Sequence, residues 1–258
     1  MRPGPLPSAI DRTGWKGLSM AEWINYRDGR DALTGYLAPS TAGSGCPTVL
    51  IFPAWLGISP TIRERADALA ALDYNAFVAD MFGRPTVIED GPRVLVNPFL
   101  NDRHYMRRRA RAALAVLQQR VHGDRDRIVA IGYCFGGCVA LELARDRAPV
   151  LGVVSFHGEL DTPTPAQPGD IGGKVLVLTG DADPVVPLAR VTEFRDEMRS
   201  AGVNFEIDIY GAAKHSFTGE GSLGAERTPE AVLDPQADAR SWRSMLNFFA
   251  EVFAEADS

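Results

Sequence analysis

The stretch Gly132-Tyr133-Cys134-Phe135-Gly136-Gly137 constrains this chain more than any other. It follows the apolar run Ile128-Val129-Ala130-Ile131 and opens a segment, Phe135–Arg145, whose beginning is small and apolar. A strand that turns directly into a helix brings two backbones together with no room for side chains, which accounts for Gly132, Gly136 and Gly137. The residue at the point of such a turn is held strained, with its side chain exposed, in the manner of a nucleophile. Serine is the usual occupant; here it is Cys134.

The rest of the chain agrees with a strand-to-helix architecture. Runs rich in Val, Ile and Leu recur at Thr48–Phe52, residues 76–80, Ile128–Tyr133, residues 151–156, residues 174–179 and Phe205–Tyr210. Several are nearly continuous, as strands buried on both faces are. Helical stretches lie between them at residues 62–72, 107–121, Phe135–Arg145, 187–201 and 236–254, the last with Trp242, Leu246, Phe249 and Phe253 on one stripe. Asp28-Gly29, between short runs starting at Glu22 and Leu33, predicts a hairpin. The alternation predicts a mostly parallel central sheet with helices on both faces. Residues 82–102, with three prolines, read as an irregular segment long enough to cover a site.

At 258 residues this is one domain, expected over 20–258 and preceded by a loose arm at 1–19, where Met20 is an alternative start. The arm has no apolar core of a secretory signal. A net charge of −6 with scattered basic residues argues against nucleic acid as a partner. No run approaches the roughly 18 apolar residues of a membrane helix. Three cysteines, an odd number, fit a reducing, cytoplasmic setting better than a disulfide framework. Cys134 and Cys138 lack a second Cys/His pair, so no metal is expected. No G-x-G-x-x-G follows the first strand, which disfavours a redox cofactor; no cofactor is expected.

Two further segments give Cys134 potential partners. Gly180-Asp181-Ala182-Asp183-Pro184 follows one strand and offers two carboxylates; Lys214-His215-Ser216 follows the next. The order nucleophile, acid, histidine, each past a strand's C-terminal end, suits acyl transfer at the edge where open parallel sheets carry their sites. A free thiol with a pKa of about 8.5 needs a base near neutral pH, and imidazole supplies one. Phe135, next after the nucleophile at a helix N-terminus, would offer its N–H to the oxyanion. His157 reads as a hydrogen-bonded structural histidine, His104 and His122 as solvated, and Asp238, Arg240 and Arg243 as a charged helix face.

GYCFGG, GDADPVVP and YGAAKHSF, with the 49–57 segment and the tail ADARSWRSMLNFFAEVF, resemble the dienelactone hydrolase family of α/β-hydrolases over residues 22–253. The resemblance implies a sheet of eight strands or slightly fewer, a Cys–His–Asp triad, and metal-free hydrolysis of a small lactone or ester. Carried onto this chain it makes Cys134 the nucleophile, His215 the base and Asp183, rather than Asp181, the orienting acid. It points to Trp55 as the second oxyanion donor and pocket wall, and to Arg84 as a binder of a substrate carboxylate. Two positions depart from the family: Ala54 stands where it carries a glutamate that holds the resting thiol, and Gly219 where it carries a second arginine. With Phe217 near Trp55, the pocket is expected to be more apolar and to turn over neutral short-chain esters or lactones at least as well as dienelactone. A general short-chain carboxylesterase and a silent small-molecule binder of the same fold are the alternatives. The chain is expected to be a monomer or small homo-oligomer.

Overall fold

The computed structural model describes residues 21–42, 45–83, 91–120, 126–220 and 232–256. The expected arm at 1–19, Arg84 and His122 lie outside them. Eight strands are present: β1 (Glu22–Asp28), β2 (Asp31–Ala38), β3 (Thr48–Phe52), β4 (Asn75–Val78), β5 (Ile128–Tyr133), β6 (Gly152–Phe156), β7 (Lys174–Gly180) and β8 (Phe205–Tyr210). The helices are α1 (Pro60–Ala70), α2 (Gly91–Leu100), α3 (Arg103–Arg120), α4 (Phe135–Arg145), α5 (Leu188–Ser200) and α6 (Pro235–Ala256).

The strands form one sheet in the order β1-β2-β4-β3-β5-β6-β7-β8. The β1–β2 hairpin turns at Gly29, whose φ of 58° suits glycine, and pairs antiparallel through β2 with β4. From β4 onward every pairing is parallel. The central strands β3, β5 and β6 are buried throughout, which is why they read as unbroken apolar runs. Their side chains divide into two cores. One holds Leu50, Phe52, Ala130 and Val153 with residues of α2 to α5; the other holds Val49, Ile51, Ile131 and Val154 with residues of α1 and α6. Because all the parallel strands run the same way, the segments after β3, β5, β6, β7 and β8 emerge on one edge, with β5 near its middle.

One expectation is corrected. Within 82–102, residues 91–100 form α2. Leu95, Val96 and Phe99 are buried at helical spacing, and Pro98 sits inside the helix. Apolar burial outweighs the hydrogen bond that a proline removes. The next helix, α3, also begins a turn earlier than its apolar pattern suggested: the Asp102 side chain accepts from the Tyr105 N–H at 3.0 Å and caps it.

Candidate active site

Cys134 lies between β5 and α4 with φ 54° and ψ −119°, a strained combination for a residue with a Cβ. Its N–H donates to the Phe156 carbonyl at 2.9 Å and its carbonyl accepts from the Gly137 N–H at 2.9 Å, so the turn is pinned from both sides. The need for glycine is steric. A Cβ on Gly132 would lie 1.9 Å from the Gly136 oxygen, and one on Gly136 would lie 2.0 Å from the Phe52 oxygen. The segment after β3 therefore presses directly against the start of α4.

The acid and histidine segments meet in the same way. Ala182 donates to the Ala213 carbonyl at 3.0 Å and Asp181 to that of Tyr210 at 2.9 Å. Gly180 permits the approach, since a Cβ there would lie 2.2 Å from the Ala213 oxygen. The result is a continuous line of three side chains. Cys134 Sγ is 3.1 Å from His215 Nε2, and His215 Nδ1 is 2.9 Å from Asp183 Oδ2. The other oxygen, Asp183 Oδ1, accepts the backbone N–H groups of Val185 at 2.8 Å and Val186 at 3.0 Å. Of the two carboxylates, the structure brings Asp183, buried, to His215; Asp181 is exposed.

Burial of His215 works against its charged form. The neighbouring Cys134 sulfur and the Asp183 carboxylate outweigh it and raise the imidazole to about 10. A thiol in hydrogen-bond contact with an imidazole can give it a proton and attack as thiolate. Nothing at position 54 competes for the sulfur, since Ala54 is a buried methyl group.

Phe135 is the first residue of α4, so the helix leaves its N–H without an intrahelical acceptor, one residue from the sulfur. Trp55 is buried in the same core as Phe135, in the segment that abuts the elbow. Phe217 is elsewhere. It is fully buried in the opposite core, against His157 at 5.1 Å and Tyr210 at 5.4 Å, so it supports the histidine loop and does not line a pocket with Trp55. Gly219 has a φ of 83°, in the left-handed region, so glycine there has a backbone reason independent of any substrate. Asp238 is not merely part of a charged face: it accepts from Arg65 at 2.6 Å, while Arg240 and Arg243 are exposed.

Three features were not anticipated. Phe82 and Phe99 stand over Phe135 at 5.8 and 5.5 Å, forming an aromatic cover beside the elbow. Phe82 is set by the turn after β4, in which Asp80 Oδ1 accepts the N–H groups of Phe82 and Gly83 at 3.0 and 2.8 Å. His157 is fully buried, edge-on to His215 at 5.3 Å, with Nε2 2.8 Å from Thr218 Oγ1. Glu220 is buried near Arg65 and Asp238. Burial, with Asp238 and Glu64 adding to it, lifts its carboxyl to about 7 against the pull of Arg65. A hydrogen-bonded His157 accords with its reading as structural; its contact with His215 had no sequence signal. Among the described residues no group of three His, Cys, Asp or Glu is arranged to hold a metal, and no helix is long and apolar enough to cross a membrane.

The profile of the dienelactone hydrolase family matches residues 33–253. A Bradyrhizobium protein named "Probable 2-oxo-3-(5-oxofuran-2-ylidene)propanoate lactonase" is 27% identical over 76% of this chain and 83% of its own. The crystal structure of a dienelactone hydrolase-like promiscuous phosphotriesterase from metagenomic libraries is similar with a TM-score of 0.84 and 36% identity, covering 92% of this chain and 99% of that one. An alpha/beta hydrolase from a Medee basin deep-sea metagenome library, only 20% identical, has a TM-score of 0.67 over 90% of this chain and 98% of its own. The shared architecture is the α/β-hydrolase fold.

Proposed function

The chain belongs to the dienelactone hydrolase family, and from that premise we propose that it is a cysteine hydrolase of small, neutral lactones or carboxylic esters. The observation that carries the reading is the unbroken line Cys134–His215–Asp183, at 3.1 and 2.9 Å. Cys134 attacks the substrate carbonyl, and the Phe135 and Trp55 amides hold the oxyanion. His215 then delivers the proton to the leaving oxygen and forms the acyl-enzyme. It next takes a proton from water, whose oxygen attacks the acyl carbon; the bond from that carbon to the Cys134 sulfur breaks, the acid leaves, and His215 returns the proton to the sulfur. Asp183 holds the imidazole in the tautomer this requires. No cofactor or metal enters the scheme.

The preference for a neutral substrate draws on the surroundings of the triad. Val185 and Leu188 follow Asp183 and are exposed. Val232, whose N–H donates to the His215 carbonyl at 3.1 Å, is exposed too, as is Leu233 beside Gly219. The acid and histidine segments thus bear an apolar fringe. Arg84 remains a proposed carboxylate binder, without its second arginine. The test is kcat/KM for a matched pair of p-nitrophenyl esters, one neutral and one bearing a terminal carboxylate. The neutral ester is expected to be turned over at least as well. An anionic preference above about a hundredfold, more than one charge-assisted hydrogen bond supplies, would overturn the neutral assignment. Absence of turnover of any ester or lactone would favour a silent binder. A side activity on neutral phosphotriesters is a second reading, favoured by the 36% identity to the promiscuous phosphotriesterase. A dialkyl p-nitrophenyl phosphate tests it in the same assay.

A further inference from the structure

The two hydrogen bonds of His215 run along one line through its ring, from Asp183 at Nδ1 to Cys134 at Nε2. Both bonds meet the edge of the ring, and neither braces its faces. A packing contact limits the tilt left to the side-chain torsions, and the structure supplies one in a second imidazole. His157, at the end of β6, has no solvent exposure and stands at 71° to the His215 ring, with centroids 5.3 Å apart. Its own φ of 41° is in the left-handed region, a conformation that a side chain other than glycine adopts only when its surroundings impose it.

What imposes it is a chain of contacts reaching back through the opposite core. His157 Nε2 meets Thr218 Oγ1 at 2.8 Å, and the Thr218 carbonyl accepts from Arg65 Nη2 at 3.0 Å. Arg65, on α1, also donates to Asp238 of α6 and lies 5.3 Å over the Trp242 ring. Phe217 abuts His157 edge-on, and Tyr133 lies tilted across it at 6.3 Å. Burial, reinforced by the neighbouring His215, holds His157 well below the usual imidazole range, so it is neutral where its neighbour is basic. The proton of the Nε2–Thr218 contact comes from the ring or from the hydroxyl according to the tautomer, and either way the bond ties the ring to Thr218.

We propose that His157, held by Thr218 and through it by the Arg65–Asp238 pair, is a positioning residue for His215. It confines the His215 ring to the plane in which one nitrogen faces Asp183 and the other Cys134. The inference rests on the reading of His215 as the base. It explains why an uncharged ring is built here: a cation would repel the imidazolium that forms at His215.

The test uses full-length Thr218→Val, which keeps the shape of threonine without its hydroxyl, His157→Phe, which keeps a ring, and Thr218→Ser as the rescue. The first readout is the pH dependence of Cys134 alkylation by iodoacetamide, which needs no substrate. In wild type the reaction should persist at neutral pH. In Thr218→Val and His157→Phe its onset should move toward the pH of a free thiol, about 8.5. The second readout is turnover of a neutral p-nitrophenyl ester. kcat should fall about 10- to 100-fold, as a misplaced catalytic group costs, with KM within about twofold, and Thr218→Ser should recover most of it. A purely structural His157 would lower the melting temperature but leave the folded fraction's alkylation profile unchanged. That result in Thr218→Val overturns the proposal, even if His157→Phe fails to fold. If wild type cleaves no ester while the alkylation onset still shifts, the hydrolase reading fails and the positioning role stands.

Discussion

Replacing Asp183 by asparagine tests the candidate triad at the point where geometry makes the strongest demand. Asp183 Oδ1 accepts two backbone N–H groups, from Val185 and Val186, and Oδ2 faces His215 Nδ1. An asparagine has one oxygen for these two places. With its oxygen toward the two amides, its NH2 points at His215 Nδ1, which must then be the bare nitrogen. The proton moves to Nε2, and Nε2 can no longer accept from Cys134. The flipped amide restores the useful tautomer only by setting an NH2 against two N–H donors. Losing two hydrogen bonds there costs roughly 3 kcal/mol, about a hundredfold. The lost negative charge, which helps hold the imidazolium, accounts for the remainder of an expected fall of about 10³–10⁴ in kcat, the size found when tautomer control is lost in serine triads. Initial rates with p-nitrophenyl acetate measure it, with circular dichroism to verify folding. Asp181→Asn should stay within a fewfold of wild type, because Asp181 is exposed. Asp183→Asn activity within tenfold of wild type, or a larger loss in Asp181→Asn, would refute the tautomer argument.

Cys134→Ala should abolish esterase activity with the fold retained. Cys138→Ser should remain active, because Cys138 is fully buried one turn into α4, where burial pushes its thiol up to about 12; alkylation mapped by mass spectrometry should find Cys134 alone of the two. His215 is raised to about 10, so its stabilisation is present in full below its unfolded value of about 6.5 and is lost as pH rises through 10. The urea midpoint of wild type relative to Cys134→Ala should therefore shrink from pH 6 to pH 10, and a constant difference would count against the coupled pair. Gly136→Ala should not accumulate as folded protein, since its Cβ would lie 2.0 Å from the Phe52 oxygen and 2.7 Å from that of Pro53; a normal yield with an unchanged spectrum would show that the elbow relaxes.

Backbone demands were the most legible part of this chain. Gly132 and Gly136 are glycines because main-chain atoms occupy the space of a Cβ, and such a constraint is written directly in the residue type. Fully buried strands were legible for a similar reason, since β3 and β5 face two cores and are almost wholly apolar. Where a sequence signal had two physical readings, inference failed. Three prolines suggested irregular chain at 82–102, yet burial of Leu95, Val96 and Phe99 carried a helix through one of them. Phe217, two residues from His215, had to point to one side of the sheet or the other. Only the turn after Tyr210, with Ala212 and Ser216 at positive φ, decides that it enters the core with α6.

The contacts behind His215 lie at the far end of this scale. Thr218, Arg65 and Asp238 come from three segments that share no motif, and each alone reads as an ordinary surface residue. What unites them is that the histidine segment leaves the sheet between α1 and α6, so its carbonyls and hydroxyls must find partners there. A buried loop that must satisfy its own polar groups will recruit whatever donors the packing brings near. The arginine and the neutral imidazole do this, and in doing so they bear on the ring whose orientation the chemistry depends on.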